Sequence, residues 1–172
     1  MSKTNPTRFL VKSAVIAAIY VALTYLSGLF NLAYGSIQFR ISEALTILPV
    51  FTPAAIPGLT VGCLLGNLAS PFGLIDIILG TIASFIAAVL TRALAKFKFK
   101  GLPMLSPLPP VVVNAVIIGA EIVFFLPEGF SITGFLIAAA QVGLGQLAVC
   151  YLLGLPLYKA IENSGARKIL ED

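Results

Sequence analysis

Read only as apolar and polar positions, the chain is a series of long apolar runs separated by short polar or proline-rich breaks. No Asp, Glu, Lys or Arg occurs between Lys12 and Arg40, from Ala44 to Ile75, from Gly101 to Ala120, or from Gly129 to Tyr158. A helix rises about 1.5 Å per residue and the hydrocarbon core of a bilayer is about 30 Å thick, so each run can enter or cross it. Phe9 to about Phe30 reads as a first helix, closed by Gly28 and the loop-like stretch from Asn31 to Gly35. The apolar part continues well past about 15 residues without an A-x-A-like cleavage site, which argues for a retained span and against a removed signal peptide. The run after Glu43 is too long for one helix, and Pro49, Pro53, Pro57 and Gly58 break it into two short helices joined near Thr52 to Pro57. The expected fold is an all-α membrane protein, a single transmembrane domain of six helices over roughly 9–30, 43–56, 58–70, 74–95, 111–126 and 132–158. The basic, proline-rich stretch from Lys96 to Pro110 is expected to lie outside the hydrocarbon.

Composition agrees: 59% of the 172 residues are hydrophobic and only 10% charged, against about 25% in a soluble domain. In a six-span arrangement Lys3, Arg8, Lys12, Arg92, Lys96, Lys98, Lys100, Lys159, Arg167 and Lys168 fall on the side of the termini, and only Arg40 falls opposite. That asymmetry places both termini in the cytoplasm. It also accounts for the net charge of +4 without a nucleic-acid partner, since no aromatic-interleaved basic motif accompanies the charge. The chain has no histidine, which removes the commonest metal ligand and general base, and no metal site or enzymatic activity is expected. Cys63 and Cys150 lie within apolar runs and read as buried free thiols. No G-x-x-x-x-G-K-[ST] occurs, so the chain carries no cofactor of its own and any ATP chemistry belongs to partner subunits.

Small residues recur every fourth position at Ala14, Ala18 and Ala22, at Gly58, Gly62 and Gly66, and at Gly80, Ser84 and Ala88. Such stripes let helix backbones approach closely in lipid. The glycine stripe reads as packing inside the bundle. The alanine stripe is divided between packing and a docking surface for another subunit.

A charge at the centre of a membrane helix costs about 2.5–3.5 kcal/mol on insertion scales, so the few polar groups inside the spans need partners or a purpose. Gln38, Arg40, Glu43, Asn67, Asp76, Glu121 and Gln141 all map to the half of the bundle away from the termini, and Asn114 lies seven residues before Glu121 on the same helix face. Together they form a candidate ligand-binding cluster opening outward. Arg40 and Glu43, three residues apart at a helix start, also suit a local ion pair. Asp76, just after Ser70-Pro71-Phe72-Gly73, also suits a first helical turn through the helix dipole. Glu121 has no basic neighbour in its own helix, which favours ligand contact or a proton-linked role over structural pairing.

The blocks QFRISEALTILP, from Gln38 to Pro49, and GLTVGCLLGNLASPFGLIDIILGT, from Gly58 to Thr81, carry a resemblance. The stretch from Tyr34 to Ala88, about a third of the chain, resembles the QueT family of S components of energy-coupling factor (ECF) transporters, implicated in uptake of queuosine precursors. The resemblance implies a substrate-binding subunit in a prokaryotic plasma membrane that docks on a transmembrane coupling protein carried by two ATPases. It also implies that Ala14, Ala18 and Ala22 form the docking face. A 7-deazaguanine presents an N1–H and an exocyclic amine side by side, which one carboxylate accepts as a pair, while Asn or Gln suits the O6 edge. A 7-aminomethyl group would add a cation for a second carboxylate. Tyr20, Tyr34, Phe39 and Phe72 are candidates for stacking on the base, or ordinary packing aromatics. The alternatives are an S component for another vitamin-like molecule, or a stand-alone proton-coupled carrier titrating through Glu121 and Asp76; the absence of an internal repeat weighs against the latter.

Overall fold

Pro6 opens the first helix where a missing N–H does no harm, and the Asn5 side chain accepts a hydrogen bond from the Thr7 N–H at 3.1 Å. From there the computed structural model describes residues 5–33, 38–127 and 129–171. Lys3 and Tyr34, named above for topology and stacking, lie outside the described residues. The described residues form helices joined by turns and loops, with no strand among them: α1 (Pro6–Leu29), a 3-10 helix (Ile41–Val50), α2 (Ala55–Gly66) with a final 3-10 turn (Asn67–Ala69), α3 (Leu74–Leu94), α4 (Leu108–Phe124), α5 (Ile132–Leu152), α6 (Gly154–Asn163) and α7 (Ala166–Glu171). Three helical segments are long and apolar enough to cross a membrane: α1, α3, and α5 with α6. The 3-10 helix, α2 and α4 are shorter and also apolar.

Three local departures from the expected spans have identifiable causes. The second element is wound as a 3-10 helix from Ile41 to Val50, not as an α-helix over 43–56. At about 2.0 Å per residue, ten residues cover about 20 Å, and at three residues per turn Arg40, Glu43 and Thr46 fall along one edge. The Thr46 hydroxyl donates back to the Glu43 carbonyl at 2.6 Å along that edge. The fifth element starts at Leu108 because Pro109 and Pro110 fit a first helical turn, and it ends at Phe124, two residues earlier than expected. The last run is interrupted at Leu153, where Gly154 and Pro156 begin α6.

The 3-10 helix is the axis of the bundle, packing against α1, α2, α3, α5 and α6. Its residues Ser42 to Pro49 are all buried. Around it the distribution of polarity is inverted relative to a soluble protein. Leu10, Val15, Ile19, Ile82, Phe85, Val112, Val116, Leu136 and Leu144 face outward, while Thr24, Ser42, Glu43, Asn67 and Asp76 are buried. This is the surface a lipid solvent requires.

The small-residue stripes divide between inside and outside. Gly58, Gly62 and Gly66 of α2 are buried against Ser13, Ile16, Tyr20 and Thr24 of α1. A methyl group at Gly58 would come within 2.8 Å of the Ser13 carbonyl oxygen, and one at Gly62 within 2.8 Å of the Tyr20 Cβ. Gly119 of α4 meets the Ala139 backbone of α5 as closely, at 2.8 Å. Gly80, Ser84 and Ala88 are also buried. Ala14, Ala18 and Ala22, by contrast, are exposed, with Ala14 bordering a groove shared with Pro57 and Val61 of α2.

Candidate functional site

Because the helices alternate in direction, the end of α1, the start of the 3-10 helix, the end of α2, the start of α3 and the end of α4 meet at one end of the bundle. That places Gln38, Arg40, Asn67, Asp76 and Glu121 together there. The described Lys and Arg residues other than Arg40 belong to the start of α1, the end of α3 and its connector, and α6 and α7, at the opposite end.

Arg40 is the hub. Its Nε donates to the Ala33 carbonyl at 2.8 Å and its Nη1 to the Asn67 Oδ1 at 2.8 Å, while Nη2 lies 3.7 Å from the Asp76 carboxylate. Asn67 in turn donates from Nδ2 to the Asp76 carbonyl at 3.0 Å, so one amide ties α2 to α3 and to the arginine. Gly80 makes room for it: a Cβ there would overlap the Asn67 Nδ2. Asp76, expected as a ligand group or a helix-terminal carboxylate, is therefore an inward-facing ion-pair partner of Arg40. Gly73, with φ of 64°, supplies the turn that starts α3 three residues before it.

A second polar group lies deeper. Tyr20 of α1 donates its hydroxyl to Glu43, and Gln146 of α5 hydrogen-bonds the same carboxylate. Thr24 donates to the Ser42 hydroxyl at 2.8 Å, and the Cys150 thiol contacts the Gln146 Oε1 at 3.5 Å. Tyr20, for which stacking on a base and ordinary packing were both open, is fully buried and donates its hydroxyl within the bundle to Glu43. This role had a signature in the sequence. Ser13, Tyr20, Thr24 and Ser27 recur at intervals of seven, four and three, which places them on one helix face, and all four are buried.

Glu121 and Asp76 both carry buried carboxylate oxygens without a hydrogen-bond partner, but Asp76 Oδ2 has the Arg40 guanidinium at 3.7 Å and Glu121 has no ion pair among the described residues. Glu121 is 3% exposed, and neither carboxylate oxygen has a hydrogen-bond partner among the described residues. It sits in the last turn of α4, three residues before the helix ends, and so nearer the end than the sequence suggested. There the helix dipole opposes a negative charge. It lines a groove of about 470 Å³ between α3 and α4, whose other walls are Ile75, Leu79, Val116, Ile117, Ala120, Phe124 and Phe125. Arg40 and Asp76 are close enough for their charges to act on it. Phe72 packs on Phe125 beside this groove, with ring centroids 5.7 Å apart.

The remaining candidates are spread around this core. Gln38 is buried, and its backbone lies against α5 where a Cβ at Gly145 would strike the Gln38 carbonyl. Asn114 is buried on the Glu121 helix but donates to its own helix at the Pro110 carbonyl, 3.0 Å away. Gln141 is half-buried on α5, and Phe39 is exposed.

The chain matches the family described as QueT transporter over residues 10–163. The Lactococcus lactis subsp. cremoris protein named queuosine precursor transporter QueT is 38% identical over 84 residues, a match that covers 49% of this chain and 49% of that protein. The chain is thus aligned with about half the length of the curated relative it matches. No solved structure matches. A family match over most of the chain, on a helical bundle with an apolar exterior and polar interior, gives one conclusion: the chain belongs to the QueT transporter family and is a multi-pass membrane protein.

Proposed function

We propose that the chain is the substrate-binding membrane subunit of an ATP-driven importer of the ECF type, and that it takes up a queuosine precursor of the 7-deazaguanine class. The observation that carries the reading is Glu121: a buried carboxylate with both oxygens unpartnered, beside a groove flanked by aromatic rings. An unsatisfied buried carboxylate is costly, and a base edge with adjacent N–H donors would satisfy it in a bidentate pair. The name of the Lactococcus relative supports the precursor class. In this reading Gln38, Asn114 and Gln141 complete the surroundings of the ligand, and Arg40, Asn67, Asp76 and Glu43 hold the frame on which Glu121 is presented.

The bundle crosses the membrane six times in this proposal, with the basic end in the cytoplasm and the polar end outside. The exposed alanine face of α1 is the docking surface for a coupling protein, which carries two ATPases. Its regularity supports this, as does its exposure: Ser13, Ile16, Tyr20 and Thr24 are the residues of α1 that pack on the α2 glycines, and the alanines are left uncovered. Purified protein should show a saturable rise in thermal midpoint with 7-aminomethyl-7-deazaguanine and none with unrelated vitamins. A rise with a vitamin and none with any deazapurine would replace the proposed substrate.

A further inference from the structure

The basic end of the bundle holds a polar cavity of its own, remote in the fold from Glu121. Contrary to the expectation of no aromatic-interleaved basic motif, basic and aromatic residues alternate from Lys96 to Lys100, directly after α3. A tight turn closes this segment. Phe99 and Leu102 exchange backbone hydrogen bonds at 2.8 and 3.0 Å across Lys100 and Gly101, whose φ values of 49° and 79° fit a type I′ turn. Phe97 and Phe99 are left 50% and 67% exposed. Between the segment, α6 and α7 lies a cavity of about 230 Å³, lined by Lys96, Lys98, Glu162 and Arg167 and by the buried, stacked rings of Phe51 and Tyr158. Lys98 donates to the Tyr158 hydroxyl at 2.9 Å, which holds its ammonium at the cavity wall, and Arg167 pairs with Glu162. Three cations thus face one carboxylate. The second oxygen of that carboxylate, Glu162 Oε2, is buried with no hydrogen-bond partner among the described residues. The cavity therefore calls for an anion and for a hydrogen-bond donor together.

We infer that this cavity binds the headgroup of an anionic phospholipid that carries hydroxyl groups, phosphatidylglycerol being the simplest. The phosphate meets Lys96, Lys98 and Arg167, a headgroup hydroxyl donates to Glu162, and Phe97 and Phe99 enter the adjoining lipid. A zwitterionic headgroup would leave the excess of positive charge uncompensated. Location favours a lipid over a soluble phosphate ester: α3 is long and apolar enough to cross a membrane, the segment starts at its end, and exposed rings beside cations suit a headgroup layer with hydrocarbon next to it. The site does not depend on which ligand is transported.

The test titrates the purified, delipidated full chain in detergent with phosphatidylglycerol, phosphatidylethanol and phosphatidylcholine of identical acyl chains, with bound lipid read by native mass spectrometry. Phosphatidylethanol keeps the single negative charge and lacks the hydroxyls. Phosphatidylglycerol is expected to bind at least about tenfold more tightly than phosphatidylcholine, and about tenfold more tightly than phosphatidylethanol. Equal affinity for phosphatidylglycerol and phosphatidylcholine would overturn the proposal, and equal affinity for the two anionic lipids would overturn the hydroxyl contact to Glu162. Full competition by soluble glycerol phosphate or by single-stranded RNA would overturn the assignment to lipid. Position is read on the same wild-type chain by amine acylation: saturating phosphatidylglycerol should protect Lys96 and Lys98 and leave the exposed Lys159 reactive. The variant Lys96→Gln with Lys98→Gln should bring phosphatidylglycerol to within about threefold of phosphatidylcholine. Protection that spares Lys96 and Lys98, or a preference that survives in the variant, would place the lipid elsewhere and overturn the site.

Discussion

The carboxylates at the polar end of this bundle occupy two contrasting environments. Asp76 and Glu43 sit in a network in which Arg40, beside Glu43 at the start of the 3-10 helix, and an asparagine, a tyrosine and a glutamine from α2, α1 and α5 surround them. Glu121, within reach of the same charges, has none of these contacts and opens onto an apolar groove. In lipid there is no water to satisfy a polar group at depth, so satisfied polar networks act as glue and unsatisfied ones mark where something else binds. The comparison separates two settings within one cluster of acidic residues: the network ties helices together, and the orphan is, in the proposed reading, the group left for a ligand.

The network should break hard. Arg40→Met removes the one buried cation and strands Asp76, and loss of one partner of a buried pair costs about 3–5 kcal/mol. The thermal midpoint of the purified variant should fall accordingly, and restoring charge neutrality with Arg40→Met plus Asp76→Asn should recover part of the loss. If Arg40→Met is as stable as wild type, the network is not what holds this end of the bundle. Tyr20→Phe should be milder. It deletes one hydrogen bond to a carboxylate, worth about 1.5–3 kcal/mol, and leaves the ring packed against Gly62. Glu121→Gln should have the smallest effect on the empty protein, within about 0.5 kcal/mol, because no protein partner is lost. A midpoint drop for Glu121→Gln as large as that for Arg40→Met would make Glu121 a structural residue.

The two faces of α1 offer a parallel contrast. One face is locked against the α2 glycines, and the other presents Ala14, Ala18 and Ala22 outward. Ala18→Trp should leave ligand affinity of the isolated protein within about twofold, since nothing in the bundle packs there, and abolish uptake by the assembled importer. Collapse of ligand binding by this variant would assign the stripe to internal packing.

What the sequence showed depended on how directly each feature follows from local pattern. The apolar runs made the long helices readable, because length and hydropathy alone decide whether a segment suits lipid. The inward glycine stripe was equally legible from four-residue spacing. The 3-10 winding of Ile41–Val50 was not, since Pro49 and the apolar composition fit an α-helix as well, and only the packing of five helices around the segment distinguishes them. At the site, depth and polarity picked out Arg40, Asn67, Asp76 and Glu121, which the structure brings near one another. Their pairing was not legible: Arg40 meets Asp76 and Asn67, and Glu43 meets Tyr20, through contacts between residues 23 to 36 positions apart. No local rule connects such positions. The isolation of Glu121 could be suspected from the lack of a basic neighbour in its helix, but its two empty oxygens emerge only once every neighbouring donor has been placed.

The central claim is that Glu121 is held without a protein partner so that the ligand can supply one. Its most direct test is calorimetric titration of wild type and Glu121→Gln with 7-aminomethyl-7-deazaguanine. Glutamine keeps the volume, removes the charge and one acceptor, and turns donors toward a ligand edge that is itself made of donors. Truncating a buried charge-assisted pair commonly costs about 2–5 kcal/mol. The account predicts a Kd raised by at least about thirtyfold with the thermal midpoint of the empty protein unchanged. An unchanged Kd would remove Glu121 from the site and contradict the account.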